Sequence, residues 1–431
     1  MFQINQRRTS VRIELTAGLT TFLTMSYIIF VNPSILANAG MPREAVMVAT
    51  CLATGIITIA TGLACNAPIA MAPGMGLNAF LAFSLVQAGR MSWQTGLGVV
   101  FLSGLLCLSL TLLGLRRRLV EAIPPSIVGA ISVGIGLFIT FIGLTDMGLV
   151  VRNEATIVGA GPITPTVLIA LCTLILMAFL QTRAIRGALL VGIVFATALG
   201  LVFGYVARPT GLSISSLSIR PVAFKLDILG ALKWSALGSV FSLMFMDMFD
   251  SIGTLVACCH MAQMVDQEGR IRGLDRLLAI DAGASMLGAI LGTSTMTSYI
   301  ESAAGIEEGG RTGLTAVVTG VCFLAAILLA PVAAIVPKFA TGPALVMVGL
   351  FMLRGIARID LEHVDEAFPA FVIMVMIALS YNISNGLAFG FISFTVVKVL
   401  SGKIRQVKPA MWLIAILSAV YLIAENLPSR S

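Results

Sequence analysis

The sequence predicts an all-α protein that crosses a membrane many times. Of its 431 residues, 58% are hydrophobic and 11% are charged, and the mean hydropathy is +1.02. A soluble domain carries about a quarter charged residues, because its surface faces water. Apolar stretches of about 20 residues, the length needed to span a bilayer, follow one another along the chain. One half of the chain also resembles the other half.

Polar residues and Gly/Pro-rich stretches divide the chain into 14 predicted transmembrane segments. Their approximate bounds are 13–38, 44–64, 67–87, 94–114, 119–144, 165–182, 187–206, 236–258, 274–291, 293–306, 312–330, 339–356, 366–381 and 384–400. A further apolar stretch, 410–425, either spans the membrane or lies along its surface. Glycine-rich runs such as 129–143 place small residues four positions apart, and close packing between helices explains this spacing.

An internal repeat relates the two halves of the chain. The stretch PPSIVG at 124–129 resembles GPALVM at 342–347, so the offset from 124 to 342 is 218 residues. With seven segments in each half, the second copy must lie inverted in the membrane, an arrangement typical of secondary transporters. We therefore predict two inverted repeats, residues 1–206 and 236–431, joined by an extracytoplasmic connection at 207–235.

The distribution of lysine and arginine predicts the orientation, because cytoplasmic loops of membrane proteins carry an excess of both. With the N-terminus in the cytoplasm, 19 of the 27 basic residues fall on the inner side and 8 on the outer side. We therefore predict a multi-pass protein of the inner (plasma) membrane with a cytoplasmic N-terminus. The net charge of +7 then reflects contact with anionic membrane lipid and not with nucleic acid.

Motifs for metals and cofactors are missing from the sequence. The seven cysteines include no C-x-x-C pair, and the two histidines stand apart in polar connections. The chain also has no phosphate-binding glycine loop. We therefore predict no metal, no cofactor and no ATP-driven pump.

Two predicted segments are interrupted by residues that disfavour a helix. The first reads NAPIAMAPGMGLN at 66–78, with two prolines and two glycines. The second reads GTSTMTSYIE at 292–301, a Thr/Ser run that suits an extended conformation better than a helix. Unwound backbone survives in a bilayer only where protein or a watery cavity satisfies its polar groups. We predict a ligand site here, because each break also presents the N-terminus of a half-helix to an anionic or polar ligand.

Four acidic residues fall within predicted segments: Asp247, Asp250, Asp281 and Glu301. Each costs about 2.5–3.5 kcal/mol on insertion scales, so such acids are expected to have a function. We expect no lysine or arginine at comparable depth, and four carboxylates without a cation cannot all stay ionised. At least one should take up a proton, or pair with a bound cation or a substrate N–H, which predicts a proton-coupled carrier. For Asp281 and Glu301 a helix-boundary cap is the alternative.

Six motifs extend this pattern along nearly the whole chain. They are TTFLTMSY (20–27) with Asn32-Pro33, APGMGLNAF (72–80), FDSIGTL (249–255), YIESAAG (299–305), GGRTGL (309–314) and NGLAFGFIS (385–393). In these motifs the sequence resembles the nucleobase–cation symporter-2 family, and within it the AzgA-like branch of adenine, guanine and hypoxanthine permeases.

The resemblance implies 14 transmembrane segments in two inverted seven-segment repeats, with short strands in the broken segments 3 and 10. Segments 1–4 and 8–11 would form a core domain, and segments 5–7 and 12–14 a gate domain. The core would move against the gate in an elevator-like alternating-access cycle. The resemblance implies import of a purine nucleobase together with protons, and it favours a homodimer.

The resemblance also implies residue roles. It maps the substrate-binding acids of the family to Asp250 and Glu301, matches Asn78 and Asp247 to further positions needed for function, and matches Asp281 to an acid in segment 9. We predict substrate binding by Asp250, Glu301, Asn78, Thr254 and Ser298, and proton coupling through Asp247, Asp250 and Asp281. The chemistry is consistent, because Asp250 and Glu301 can accept hydrogen bonds from the N–H groups of a purine edge, and the free backbone amides at the breaks can donate to its ring nitrogens.

Other functions remain as alternatives. The same fold could carry xanthine, urate, uracil or an unrelated small solute, although four acids disfavour an inorganic anion. A channel would need a continuous polar pore face, whereas the polar residues cluster at the two breaks. A membrane-embedded enzyme would need a metal-ligand set or a nucleophile–base pair, and the sequence offers neither.

Overall fold

The computed structural model describes residues 2–89, 91–116, 123–206, 218–265, 271, 273–330 and 335–426, and these residues are mostly helical. The helices of the first half are α1 (Val11–Met25), α2 (Ile28–Ala37), α3 (Arg43–Cys65), α4 (Met75–Ala79, continued by a π-helix over Phe80–Ala88), α5 (Trp93–Leu112), α6 (Pro125–Asp146), α7 (Pro165–Thr182) and α8 (Ala188–Val202). The helices of the second half are α9 (Ile228–Ala231), α10 (Trp234–Met261), α11 (Leu274–Leu291), α12 (Ser302–Glu307), α13 (Gly313–Ala325), α14 (Lys338–Met352), α15 (Val364–Ser380), α16 (Ile383–Leu400) and α17 (Pro409–Asn426). Short 3₁₀ turns extend or connect some of these helices, at Ala326–Leu329, Leu353–Arg358 and Ile404–Gln406. The strands are β1 (Met71–Pro73), β2 (Val150–Asn153), β3 (Ile157–Ala160) and β4 (Met296–Ser298).

The helices agree with a multi-pass membrane protein. In the described chain, eight helices are long and apolar enough to cross a membrane, and shorter apolar helices accompany them. Helices α7 and α11 have the same bounds as the predicted segments 165–182 and 274–291. The stretch 410–425 is also helical, as α17. The prediction of a mostly helical membrane protein is therefore confirmed.

The predicted segment 13–38 corresponds to one apolar helical span, Val11–Ala37, whose regular hydrogen bonding is interrupted at Ser26 and Tyr27 while the backbone stays in the helical region. The structure differs from the sequence-based expectation at one place. The connection at 145–164 contains an unpredicted hairpin of β2 and β3. Two predicted features lie partly outside the described residues: 119–122 of the segment 119–144, and 207–217 of the connection 207–235.

The two broken segments meet in the interior as an antiparallel pair of three-residue strands. In the register of β1 and β4, Met71 lies opposite Ser298 and Pro73 lies opposite Met296. All residues of both strands are buried. This pairing confirms the predicted short strands in segments 3 and 10, and it joins the two halves of the chain through their backbones.

Helix contacts divide most of the molecule into two groups. In the first group, α13 packs against α1 and α3, and α5 packs against α10 and α11, with β1 and β4 between them. In the second group, α6 packs against α14 and α15, and α14 packs against α7 and α8. Contacts within each group are more extensive than contacts between the groups. The strand pair therefore belongs to the first group.

Glycines spaced seven residues apart allow the closest helix crossings. Between α6 and α14, a β-carbon added to Gly136 would lie 2.9 Å from the carbonyl oxygen of Gly349. About two helical turns further along α6, a β-carbon on Gly143 would lie 2.7 Å from the carbonyl oxygen of Gly342. The same kind of contact recurs between α3 and α13. The packing role predicted for the glycine run 129–143 is confirmed, since only glycine lets the two backbones approach this closely.

We expect Gly349→Ala to destabilise the protein. Its added β-carbon would lie 2.5 Å from the carbonyl oxygen of Gly136, so α6 and α14 must separate. Overpacking of this kind costs about 1–3 kcal/mol and should lower the thermal midpoint of the detergent-solubilised protein. Gly283→Ala is the matched control, because a β-carbon on this helical glycine would meet nothing within 4 Å. Equal midpoints for the two variants would contradict the role of the glycine crossing.

Candidate functional site

The site is built on the strand pair, whose backbone is satisfied by protein groups on every side. At one end the amide of Gly74 donates to the carbonyl of Thr295 at 3.0 Å, and at the other the amide of Tyr299 donates to the carbonyl of Ala70 at 3.0 Å. The hydroxyl of Thr58 lies 3.1 Å from both the amide and the carbonyl of Met71. Extended backbone can therefore persist inside the membrane.

A short helix begins just after each strand. Helix α4 begins at Met75, immediately after the Gly74 that follows β1, and α12 begins at Ser302, with three residues between it and β4. The prolines and glycines of the first break and the Thr/Ser run of the second prevent one continuous helix from forming. The first break thus presents the amide end of a half-helix, α4, beside the paired strands, as the sequence predicts. At the second break the first amides of α12 already donate to the carbonyls of the residues just before them, 299–301. An amide end favours a negative or polar ligand.

Glu301 lies at the amide end of α12, as its N-cap residue. Its Oε1 accepts a hydrogen bond of 2.7 Å from the hydroxyl of Tyr27. Tyr27 is 2% exposed and occupies the turn between α1 and α2. Sequence reasoning gave Tyr27 no role, although it ends the first of the six motifs. The only signal was that motif, because nothing in the local composition predicts a helix break there.

Asp250 lies in the middle of α10 between the buried residues Phe249 and Ser251, yet its own side chain is exposed. The residues that bury its neighbours therefore leave Asp250 open to a ligand. Its carboxylate is close enough to those of Glu301 and Asp281 to interact with them electrostatically. Among the described residues, no hydrogen bond to the Asp250 carboxylate is found. Asp250 and Glu301, predicted to act together, are thus brought together with acceptor oxygens free for a ligand.

Thr254 and Ser298 differ in their availability. Thr254 is half-buried and follows Asp250 by one turn of α10, so both residues belong to the same helix face. Ser298 is buried in β4, and its hydroxyl donates to the carbonyl of Ser251 at 3.2 Å. Thr254 therefore lies beside the exposed Asp250, whereas the Ser298 hydroxyl already connects β4 to α10.

Asn78 lies in α4 and is fully buried. Its side-chain oxygen accepts a hydrogen bond from the hydroxyl of Ser294, just before β4. Its Nδ2 is buried and has no hydrogen-bond partner among the described residues. A buried amide without a partner costs about 1–3 kcal/mol, so this group is available to a ligand or a bound water. Asn78 thus connects the first half-helix to the second break.

Asp281 contradicts the expectation that no cation lies among the membrane acids. Its Oδ2 lies 2.9 Å from Nη2 of Arg116, and both side chains are buried. Nη1 of Arg116 also donates to the carbonyl of Leu278 at 3.0 Å. The other carboxylate oxygen of Asp281 accepts a hydrogen bond of 2.7 Å from Ser251. The predicted absence of a cation was therefore wrong for Asp281, and Asp281 is a residue within α11 and not a helix-boundary cap.

Asp247 is the most enclosed of the four acids. It is fully buried in α10, and its Oδ2 accepts a hydrogen bond of 3.2 Å from Ser285. Ser285 also donates to the carbonyl of Met296 in β4 at 2.9 Å. The Oδ1 of Asp247 has no partner among the described residues. Asp247 therefore lies behind the strand pair, away from the solvent that reaches Asp250.

We expect Arg116→Gln to destabilise the protein more than any change to an exposed arginine. Removing one partner from a buried ion pair leaves the other charge uncompensated, at a cost of about 3–5 kcal/mol. The double variant Arg116→Gln/Asp281→Asn should recover much of this loss, because neither charge remains. Thermal midpoints in detergent measure the effect, with Arg354→Gln, an exposed arginine, as the control. A single variant as stable as the wild type would show that the pair contributes nothing.

Comparison with known protein families and sequences gives consistent matches. The model of the permease family Xan_ur_permease matches residues 12–389. The chain is 41% identical to the adenine permease AdeP of Escherichia coli K12 over 418 residues, which cover 97% of this chain and 94% of AdeP. It is 39% identical to the guanine/hypoxanthine permease PbuO of Bacillus subtilis 168 over 438 residues, which cover 98% of this chain and 99% of PbuO.

Solved structures of similar fold are transporters of low sequence identity. The transmembrane domain of a cyanobacterial bicarbonate transporter, BicA, superposes with a TM-score of 0.65 at 16% identity, covering 86% of this chain and 96% of that domain. The SLC26A9 structure gives a TM-score of 0.62 at 9% identity, covering 91% of this chain and 66% of that protein. At these identities the likeness concerns the fold alone.

Proposed function

Because this chain belongs to the permease family whose model matches residues 12–389, we propose that it imports a purine nucleobase by proton symport. Members of this family are membrane transporters and not enzymes. Relatives at about 40% identity over nearly their full length are named as adenine or guanine/hypoxanthine permeases. These names support adenine, guanine or hypoxanthine as the substrate over xanthine, urate or uracil.

The observation that carries the proposal is the pair of acids, Asp250 and Glu301, beside the strand pair. Both can accept hydrogen bonds from substrate N–H groups, and charge-assisted bonds of this kind are about twice as strong as neutral ones. The amide end of α4 and the unpartnered Nδ2 of Asn78 supply donors for ring nitrogens or carbonyl oxygens. A flat heterocycle with donors and acceptors along its edges matches this set.

The same acids argue against an inorganic anion. BicA carries bicarbonate on a similar fold, but fold alone does not determine the substrate. In this chain a bound anion would meet Asp250 and Glu301 at the strand pair, and like charges in a site of low dielectric constant repel strongly. A neutral base that offers N–H donors avoids this repulsion.

We propose that the protons move through Asp250 and Asp247. Asp250 meets solvent, Asp247 has an unpartnered oxygen, and neither forms an ion pair among the described residues. Asp281 is also predicted to couple protons, but its ion pair with Arg116 favours the ionised form of its carboxylate. Its proposed part is to hold Ser251 beside Asp250.

Two inverted seven-segment repeats would account for the helix contacts. Helices α3 and α13 pack together, and so do α11 and α5, the helices that occupy the corresponding places when the halves are exchanged. The contact of α6 with α14 pairs the fifth segment of one half with the fifth of the other. We propose that the first group, with the site, is the core, and that it moves past the second group, the gate, in an elevator-like cycle.

The orientation follows from the basic residues. With the N-terminus in the cytoplasm, most of them lie on the inner side of the membrane, as the positive-inside rule requires. We propose residence in the inner (plasma) membrane in this orientation, so that import brings the base to the cytoplasm.

We expect Glu301→Gln and Asn78→Ala each to weaken purine binding while the protein still folds. Glu301→Gln should raise Kd about tenfold to a hundredfold, because losing a hydrogen bond to a charged acceptor costs about 1.5–3 kcal/mol. Asn78→Ala should raise Kd severalfold. Binding of labelled adenine, guanine and hypoxanthine to purified protein measures both. Glu307→Gln, an exposed acid on the same helix α12, is the matched control. Wild-type affinity in Glu301→Gln would refute the assigned role.

We expect at least one of Asp247→Asn and Asp250→Asn to lose uphill accumulation but keep measurable binding or exchange. If one proton enters with a neutral base, a potential of about 100 mV contributes about 2.3 kcal/mol, which supports roughly a fortyfold gradient. Proteoliposomes with imposed pH and potential gradients test this. Asp275→Asn, an exposed acid in the first turn of α11, is the control and should accumulate normally. If uptake by the wild type does not depend on either gradient, the symport proposal is wrong and the protein is a uniporter.

A further inference from the structure

Tyr27 is the one neutral side chain among the described residues that donates a hydrogen bond to Glu301. Its hydroxyl lies 2.7 Å from Oε1, and its ring is 2% exposed. Such a bond between a buried phenol and a carboxylate is charge-assisted and therefore strong. It also makes the two carboxylate oxygens of Glu301 unequal, because Oε1 already accepts one strong hydrogen bond.

The backbone around Tyr27 is shaped to present this hydroxyl. The first transmembrane segment stops being regular at Ser26, whose hydroxyl turns back to the carbonyl of Leu23 at 2.8 Å. Helix α2 then begins at Ile28, and the carbonyl of Tyr27 accepts a hydrogen bond from the amide of Val31 at 3.0 Å. The backbone stays helical through Ser26 and Tyr27, so this short interruption places Tyr27 beside the site within one continuous span, Val11–Ala37.

We propose that Tyr27 is a positioning residue that sets substrate selectivity by bonding to Oε1 of Glu301, so that Oε1 is a weaker acceptor for the substrate than the other carboxylate oxygen. This inference rests on the proposed function. A free carboxylate accepts two parallel N–H bonds from a ligand with adjacent donors. Oε1 keeps a second lone pair, but an oxygen that already accepts a charge-assisted bond is a weaker acceptor for another donor. With Oε1 bonded to Tyr27, a ligand with two adjacent donors therefore gains little over a ligand with one.

Guanine and hypoxanthine provide the test, because they differ by one exocyclic amino group. Guanine has adjacent N–H donors at its six-membered ring nitrogen and its amino group, whereas hypoxanthine has the ring N–H alone at that edge. In the wild-type protein we expect their Kd values to differ by less than about tenfold, since the second donor meets only the weakened acceptor Oε1. A larger wild-type preference for guanine would overturn the inference without any variant.

Tyr27→Phe removes the hydroxyl and leaves the ring. Hypoxanthine should then bind about tenfold or more weakly, because Glu301 loses the donor that holds it. Guanine should lose less, because its second N–H replaces the hydroxyl at Oε1. The ratio of the two Kd values should therefore shift towards guanine by about fivefold or more. A packing defect alone would weaken both bases equally and leave the ratio unchanged.

The experiment measures both Kd values by titration calorimetry on purified full-length protein, for the wild type, Tyr27→Phe and Tyr205→Phe. Tyr205 is 47% exposed at the end of α8 and serves as the matched control, with an unchanged ratio expected. An equal loss for both bases, or no loss for either, in Tyr27→Phe would overturn the inference while the proposed function stands. Failure of the wild type to bind any of adenine, guanine and hypoxanthine would instead refute the proposed function.

Discussion

The backbone pairing of β1 with β4 is the interaction on which the rest of the structure depends. Two stretches of extended chain in a membrane would leave amide and carbonyl groups without partners, at a cost of several kcal/mol each. Pairing the stretches with one another resolves this, and hydroxyls such as that of Thr58 complete the arrangement. Because β1 and β4 come from opposite halves of the chain, neither half can form the site alone. The half-helix ends and the acids acquire their positions from this pair.

The charges at the site then divide into a fixed part and a free part. Asp281 is bonded to Arg116 and to Ser251, which makes its orientation a structural property. Asp250 and the second oxygen of Glu301 keep unsatisfied acceptor capacity next to solvent. A carrier needs both parts, because acids that change protonation or partners during transport must be held by groups that do not.

Sequence reasoning identified the site wherever a residue type has only a few possible uses. Prolines and glycines at 66–78 and the Thr/Ser run at 292–301 disfavour a helix, and acids in apolar segments are costly, so sequence reasoning found the two breaks and the four acids. It did not find Arg116, because hydropathy assigns this residue to the end of a segment. The turn at Gly114, which has a φ of +68°, precedes Arg116, whose long side chain reaches inward to Asp281. Tyr27 was missed for a different reason: the sequence MSYI contains nothing that forbids a helix, so its turn depends on tertiary contacts.

The two kinds of helix contact make relative motion of the groups physically plausible. Within the groups, glycine crossings such as Gly136 with Gly349 fix the backbones at a distance that allows little sliding. Between the groups, individual hydrogen bonds such as that of Ser84 with the carbonyl of Tyr381, at 3.0 Å, are exchangeable for water or for other partners. Breaking several of these costs little compared with separating a glycine crossing. A transporter that must expose one site to both sides of a membrane therefore has reason to move the strand pair together with its whole group, so that the pairing on which the site depends is kept throughout the cycle.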